Sequence, residues 1–172
     1  FFGRAFTELF PAINAVLFEL SVEARAEALG YMLSALGIGA VMGSLWIGSQ
    51  ARADNLVRLM TLGAIALAAA LIGFAHATHA YEGIGLAVIL GIGVNVIGTG
   101  GQMMVQTTVR GDMRGRVLGL WGMSIRAAPA FGALALGALS QRFGFPLVFI
   151  FSAGLCLLWG TWTLRRRDSI TA

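Results

Sequence analysis

A few charged side chains lie inside long apolar runs of this chain, and they have the greatest capacity for chemistry. Glu8 lies in the run 1–20, and Arg126 lies in the run 117–139. A carboxyl group in such a setting can exchange a proton or bind a cation, because burial favours its neutral form. At about 1.5 Å per residue, Arg126 lies roughly 14 Å into its run, near the middle of a bilayer. This arginine can serve as a counter-ion or as an anion contact.

These charges need partners, because an uncompensated charge in hydrocarbon costs about 2.5 to 3.5 kcal/mol on insertion scales. Arg4 precedes Glu8 by four residues, so the two can simply neutralise each other. If Phe1 lies near the membrane surface, Glu8 and Arg126 have similar depths and can also pair. We expect Glu8, together with Arg4, to be a proton- or ion-coupling site that is functionally coupled to Arg126.

Uncharged polar residues follow one face of the run 83–106. Asn95, Thr99, Gln102 and Gln106 recur at steps of four, three and four residues, which places them on one face of a helix. Polar groups in hydrocarbon need partners, so the stripe indicates either a cavity or hydrogen bonds between helices. For the stripe as a whole we favour a cavity. The predicted substrate cavity consists of Asn14, Asn95, Thr99, Gln102, Gln106 and Arg126.

Membrane-spanning helices must position these residues. Of the 172 residues, 58% are hydrophobic and 12% are charged, whereas about a quarter of a soluble domain is charged. We predict an all-α membrane protein with one domain, residues 1–172, and six transmembrane helices of about 20 residues or more. Because the chain begins at Phe1 without a methionine, we expect it to be a fragment of a longer protein. The predicted helices are 1–20, 29–49, 56–75, 83–106, 117–139 and 145–164.

Several functions are disfavoured. The net charge is +4, but the arginines are scattered between apolar runs, so we expect no nucleic-acid partner. The single cysteine, Cys156, and the pair His76 and His79 have no ligand partners at useful spacing, so we expect no metal and no cofactor. Hydrolase and phosphate-binding motifs are missing from the sequence. We therefore expect a conduit or binding bundle rather than an enzyme.

The arginines also predict orientation, because cytoplasmic loops retain them. In the predicted topology, the loops on one side of the membrane hold only Arg25 and Arg142, whereas the other side is rich in arginine. Both termini lie on the arginine-rich side, which is therefore expected in the cytoplasm. The cytoplasmic side would then hold eight arginines: Arg52, Arg58, Arg110, Arg114, Arg116, Arg165, Arg166 and Arg167.

The six predicted helices differ in character. Helix 56–75 has no strongly polar residue over 59–75, so we expect it on the outside, facing lipid. Helix 29–49 carries Gly39 and Gly43, a GxxxG pair that favours close helix packing. Helix 117–139 and the turn before it also carry glycines at helical spacing, Gly115, Gly119 and Gly122, which favour close packing in the same way. Pro129 follows as a site for a kink.

Two motifs resemble a known family. Residues 114–122, RGRVLGLWG, followed by Arg126 and Pro129, resemble the loop 10–11 and helix 11 region of major facilitator superfamily transporters, particularly the branch that includes the enterobactin exporter. Residues 137–144, GALSQRFG, are similar to the repeated GxLaDRfG motif between helices 11 and 12. Gln141 stands where aspartate is usual, which removes the charge that normally supports a gating ion pair.

The resemblance implies one half of an inverted-repeat bundle, namely the C-terminal six helices of a twelve-helix transporter in the bacterial inner membrane. Its partners would be the missing N-terminal half, the lipid bilayer and a small-molecule substrate. The implied function is proton-coupled export of small amphipathic molecules, siderophore-like or drug-like, by alternating access. A non-transporting six-helix module that binds a partner or dimerises is the alternative. The residues assigned to gating are Arg110, Asp112, Arg114, Arg116, Gln141 and Arg142.

Overall fold

The computed structural model of the protein describes residues 22–50 and 55–167. Within these residues every regular element is a helix, which confirms the predicted all-α fold class. The predicted helix 1–20, with Arg4, Glu8 and Asn14, lies outside the described residues.

Five helices follow one another with short connections. Four of them are long and apolar enough to cross a membrane, and the fifth carries a shorter apolar stretch, Leu147–Leu158. Several helices are longer than the apolar runs that predict them, because backbone hydrogen bonding continues past the hydrocarbon-facing residues into polar flanks. The helices are α1, Val22–Gln50; α2, Leu56–His76; α3, Ala80–Thr108; α4, Arg114–Phe143; and α5, Phe145–Arg167.

Glycine residues allow α1 and α3 to touch backbone to backbone. A methyl group on Gly39 would overlap the Val88 carbonyl, and one on Gly91 would overlap the Leu36 carbonyl. One turn further, an ideal Cβ on Gly43 would lie 2.9 Å from the Ile92 carbonyl oxygen. The GxxxG pair therefore allows the close helix packing that its spacing predicts. Because the successive contacts advance together along both chains, α1 and α3 run parallel.

α2 lies between α3 and α5. Half of its most apolar window is buried, a larger share than in α1, α3 or α4. The prediction that this helix lies on the outside therefore fails for the packed half of its residues, whereas an exposed face with Leu62, Ile65 and Ile72 agrees with it. The lack of strongly polar residues over 59–75 of α2 reflects dry packing on two sides as well as contact with lipid.

Two apolar clusters form the core. The larger one joins all five described helices through residues such as Met32, Leu71, Leu90, Leu136 and Phe149. Within it the rings of Phe74 and Phe149 stack with centroids 6.1 Å apart. The smaller cluster consists of Ile47, Leu59 and Val96, with Trp46 and Ile92 packed against it.

The packing register sorts the connections into two ends of the bundle. Ile47 and Met60 both lie against Gly100, so the end of α1 and the start of α2 lie beside the last part of α3. We call this the arginine end, because the turn 109–113 lies there. Phe74 stacks on Phe149, so α2 ends where α5 begins. That opposite end, which contains the turn 77–79, we call the histidine end.

α4 packs on the other described helices less than α1, α2 or α3 does, with 19% of its most apolar window buried. Its best-defined contact is Trp121, whose ring would lie 2.9 Å from an ideal Cβ on Gly101 of α3. The predicted close approach through Gly115, Gly119 and Gly122 does not occur within the described residues, where no atom lies within 4 Å of an added methyl group. The glycine face of α4 is open there.

We predict that Gly39→Ala destabilises the fold by about 1 to 3 kcal/mol, because the new methyl group must displace the α3 backbone. Gly37→Ala is the matched control, since nothing lies within 4 Å of its added methyl group. Replacing this helical glycine should stabilise the protein slightly, by up to about 1 kcal/mol. Thermal unfolding of the purified protein in detergent measures both effects. Equal unfolding temperatures for the two variants would contradict the backbone contact.

Candidate functional site

Asn95, the first residue of the polar stripe on α3, bonds to a neighbouring helix. Its Nδ2 donates to the Ala40 carbonyl oxygen at 2.6 Å and to the Ser44 hydroxyl of α1. Asn95 is half-buried at this contact. Of the two alternatives that the sequence leaves open, hydrogen bonding between helices is the one that this residue adopts.

The later residues of the stripe have a different environment. Thr99 is half-buried, whereas Gln102 and Gln106 are exposed. Gln102 and Gln106 are exposed because α1 ends at Gln50, shortly after Ile47 packs against Gly100 of α3. Beyond this level α1 no longer covers the face of α3. The stripe is thus divided into a packed part and an open part.

Arg126 lies near the middle of α4, three residues before Pro129. Pro129 is buried and has no backbone N–H, so the Ile125 carbonyl loses its usual helical partner. The predicted coupling pair Glu8 and Arg4, and the cavity residue Asn14, lie outside the described residues. The structure therefore places Arg126 on its helix without placing its proposed counter-ion.

The residues assigned to gating fall into two groups. Arg110, Asp112, Arg114 and Arg116 lie at the arginine end, whereas Gln141 and Arg142 lie in the last turn of α4. At about 1.5 Å per residue the two groups are roughly 40 Å apart. The length of α4 therefore places the two groups at opposite ends of that helix, and their assignment to gating stays a prediction.

The arginine-end group is exposed. Arg110 Nε lies 3.9 Å from Asp112 Oδ1 in a solvent-facing pair, which contributes little stability. Arg114 and Arg116 occupy the first turn of α4, which holds no acidic residue. Positive charge is unfavourable at a helix N-terminus, because the helix dipole is positive there. The stability of α4 therefore does not explain why Arg114 and Arg116 occupy its first turn.

The GALSQRFG motif ends α4. Gly144 has φ 80°, a left-handed conformation that favours glycine, and its N–H donates to the Ser140 carbonyl at 3.0 Å. The Ser140 hydroxyl in turn donates to the Gly137 carbonyl at 2.8 Å. Gln141 and Arg142 are exposed beside this turn. The structural part of the motif is therefore preserved although the usual acidic residue is replaced.

The histidine end holds an open depression that the sequence does not predict. It has a volume of about 460 Å³. At its rim, Glu82 Oε2 accepts hydrogen bonds from the backbone N–H groups of Thr78 at 3.0 Å and His79 at 3.3 Å, which caps α3. No metal-binding cluster of His, Cys, Asp or Glu occurs among the residues described here. The lining residues are Gly73, His76, Ala77, Tyr81, Glu82, Gly85 and Leu86.

Long apolar helices and a half-buried hydrogen bond between two of them are typical of an all-α integral membrane protein. The family model of the Major Facilitator Superfamily matches residues 1–171, and the chain belongs to this superfamily. Its members are membrane transporters rather than enzymes, and they carry small molecules. Comparison with curated proteins and comparison with solved structures each find no match.

We predict that Asn95→Ala lowers stability through the loss of its bonds to α1. A double-mutant cycle with Ser44→Ala should give a coupling of about 0.6 kcal/mol, typical of hydrogen bonds between membrane helices. Gln102→Ala, on the same stripe but exposed, is the control and should leave the unfolding temperature unchanged. Zero coupling between Asn95 and Ser44, or an equal loss in the Gln102 variant, would argue against the division of the stripe.

Proposed function

We propose that the chain is the C-terminal half of a twelve-helix secondary transporter that exports small amphipathic molecules, siderophore-like or drug-like, in exchange for protons. The observation that carries this proposal is the exposure of Gln102 and Gln106 on a membrane-spanning helix of a transporter family. Polar side chains on a span are costly in contact with lipid, so they favour a water-filled cavity. In transporters built from two halves, such a cavity lies between the halves.

The cavity proposal assigns each polar residue a role. Gln102 and Gln106 donate and accept hydrogen bonds with the substrate, and Thr99 and Asn14 extend the same surface. Arg126 serves as an anion contact or as the counter-ion of Glu8. Asn95 contributes by holding α3 against α1, since its amide N–H groups are already used there.

The gate proposal is limited to the arginine end. Arg110, Asp112, Arg114 and Arg116 are exposed on one short turn and the start of α4, where they can exchange partners with the other half as access alternates. Gln141 and Arg142 would act only at the opposite face of the membrane.

We also propose that the arginine end and both termini lie in the cytoplasm of a bacterial inner membrane. In support, the packing register brings Arg58, the turn 109–113 and the last turn of α5 to one end, and Arg142 to the other. In a Cys156→Ala background, an impermeant maleimide should label Thr78→Cys in intact cells. Met113→Cys should react only after permeabilisation. The reverse labelling pattern would show that the protein has the opposite orientation in the membrane.

Transport by the full-length protein in vesicles with an imposed pH gradient tests the function. We expect the wild type to move a fluorescent amphipathic probe against its gradient while dissipating the pH gradient. Glu8→Gln should reduce this coupled transport by about tenfold, because a coupling of 1 to 3 kcal/mol between proton and substrate is lost. Probe exchange without a pH gradient should persist in this variant, which shows that it is folded.

The charge pair is tested in the same assay. Glu8→Arg and Arg126→Glu should each abolish coupled transport, and the double variant should recover more than either single change. A double variant that recovers no more would remove the pair from the mechanism. If transport by the Glu8→Gln variant keeps the normal pH dependence, Glu8 has no role in proton coupling. If the wild-type protein moves no probe, the result favours the non-transporting module.

A further inference from the structure

The outward face of α4 combines an arginine with a long apolar surface. Arg116, Leu120, Met123, Phe131 and Leu134 recur at helical spacing on this face and are all exposed. The four apolar side chains are between 67% and 73% exposed, among the highest values in the described residues. We call this surface the α4 stripe.

The length of the α4 stripe matches the hydrocarbon core of a bilayer, with a headgroup at one end. From Arg116 to Leu134 the stripe is roughly 27 Å long, close to the hydrocarbon thickness of about 30 Å. Arg116 therefore lies at headgroup level when the apolar residues lie in the hydrocarbon. No polar side chain interrupts the apolar part among its named residues, unlike the open part of α3 with Gln102 and Gln106.

Positive charge is concentrated beside the stripe. Arg114 lies in the same helical turn as Arg116, and Arg110 lies in the turn that precedes α4. Among the described residues, Asp112 opposes them, and it lies 3.9 Å from Arg110. The guanidinium groups of Arg114 and Arg116 have no acidic partner within salt-bridge distance among the described residues. Guanidinium groups bind phosphate through paired hydrogen bonds.

We propose that the α4 stripe and its arginines bind an anionic phospholipid such as phosphatidylglycerol. The phosphate contacts Arg114 and Arg116, and an acyl chain lies along Leu120 and Met123. The bound lipid supplies the negative charge that the first turn of α4 lacks, where the helix dipole and the arginines are both positive. This proposal requires that the chain spans a membrane and that no other part of the protein covers the α4 stripe.

A local reporter tests the lipid site in the full-length protein. In a Cys156→Ala background, the Leu120→Cys variant is labelled with a fluorophore at the new cysteine. The labelled protein is then reconstituted into vesicles that contain nitroxide-labelled phosphatidylglycerol or phosphatidylcholine. We expect stronger quenching by phosphatidylglycerol. Neutralising Arg114 and Arg116 with glutamine should lower the preference about two- to fivefold for each arginine. Asp112→Asn should raise it, because the opposing carboxylate is lost.

Arg142→Gln is the matched control, because it removes the same charge from the other end of α4 and should leave the preference unchanged. Free inorganic phosphate at millimolar concentration should not compete, since the acyl chain contributes to binding. Equal quenching by both lipids, or an equal effect of Arg142→Gln, would overturn the proposal. Absence of quenching by either lipid would show that another part of the protein covers the stripe, and would also overturn it.

Discussion

The backbone contact between α1 and α3 is the constraint on which the rest of the bundle depends. Because Gly39, Gly43 and Gly91 lack side chains, the two helices approach until carbonyl groups meet the opposite backbone. This approach brings the Asn95 amide within reach of Ala40 and Ser44. It also places the other side of α3 against α2, where Gly63 and Gly93 allow a second close contact. α5 then packs on α2 through Phe149.

The α1–α3 contact also explains how one polar stripe can serve two purposes. α1 and α3 are equally long but are shifted along each other, so α3 continues beyond Gln50 towards the turn 109–113. Below this level, half-buried Asn95 bonds to α1 and joins the two helices. Above it, Gln102 and Gln106 are exposed, because α1 does not extend over them. Helix length and register, rather than residue type, determine the role of each amide.

Apolar runs were enough to predict the four long helices, because the requirement for internal hydrogen bonding in hydrocarbon leaves few alternatives. They could not predict which face of each helix is buried. Gly39 and Gly115 look alike in sequence, yet one meets a backbone and the other meets open space, since only the packing of partner helices distinguishes them. The uniform apolarity of α2 was likewise ambiguous, because lipid and a dry helix interface select the same residues. Asn95 and Gln102 differ for the same reason.

The arginines of α4 show that membrane placement can oppose local helix energetics. Two cations occupy its first turn without an acidic residue, against the helix dipole, whereas Arg142 in the last turn is favoured by it. The orientation that we propose would account for retaining the unfavourable pair, because positive residues stay on the side where anionic lipid is found. The cost within α4 is small, since exposed charges are screened by water and headgroups. The limited burial of α4 against the other described helices leaves room for the membrane surface to contribute to its position.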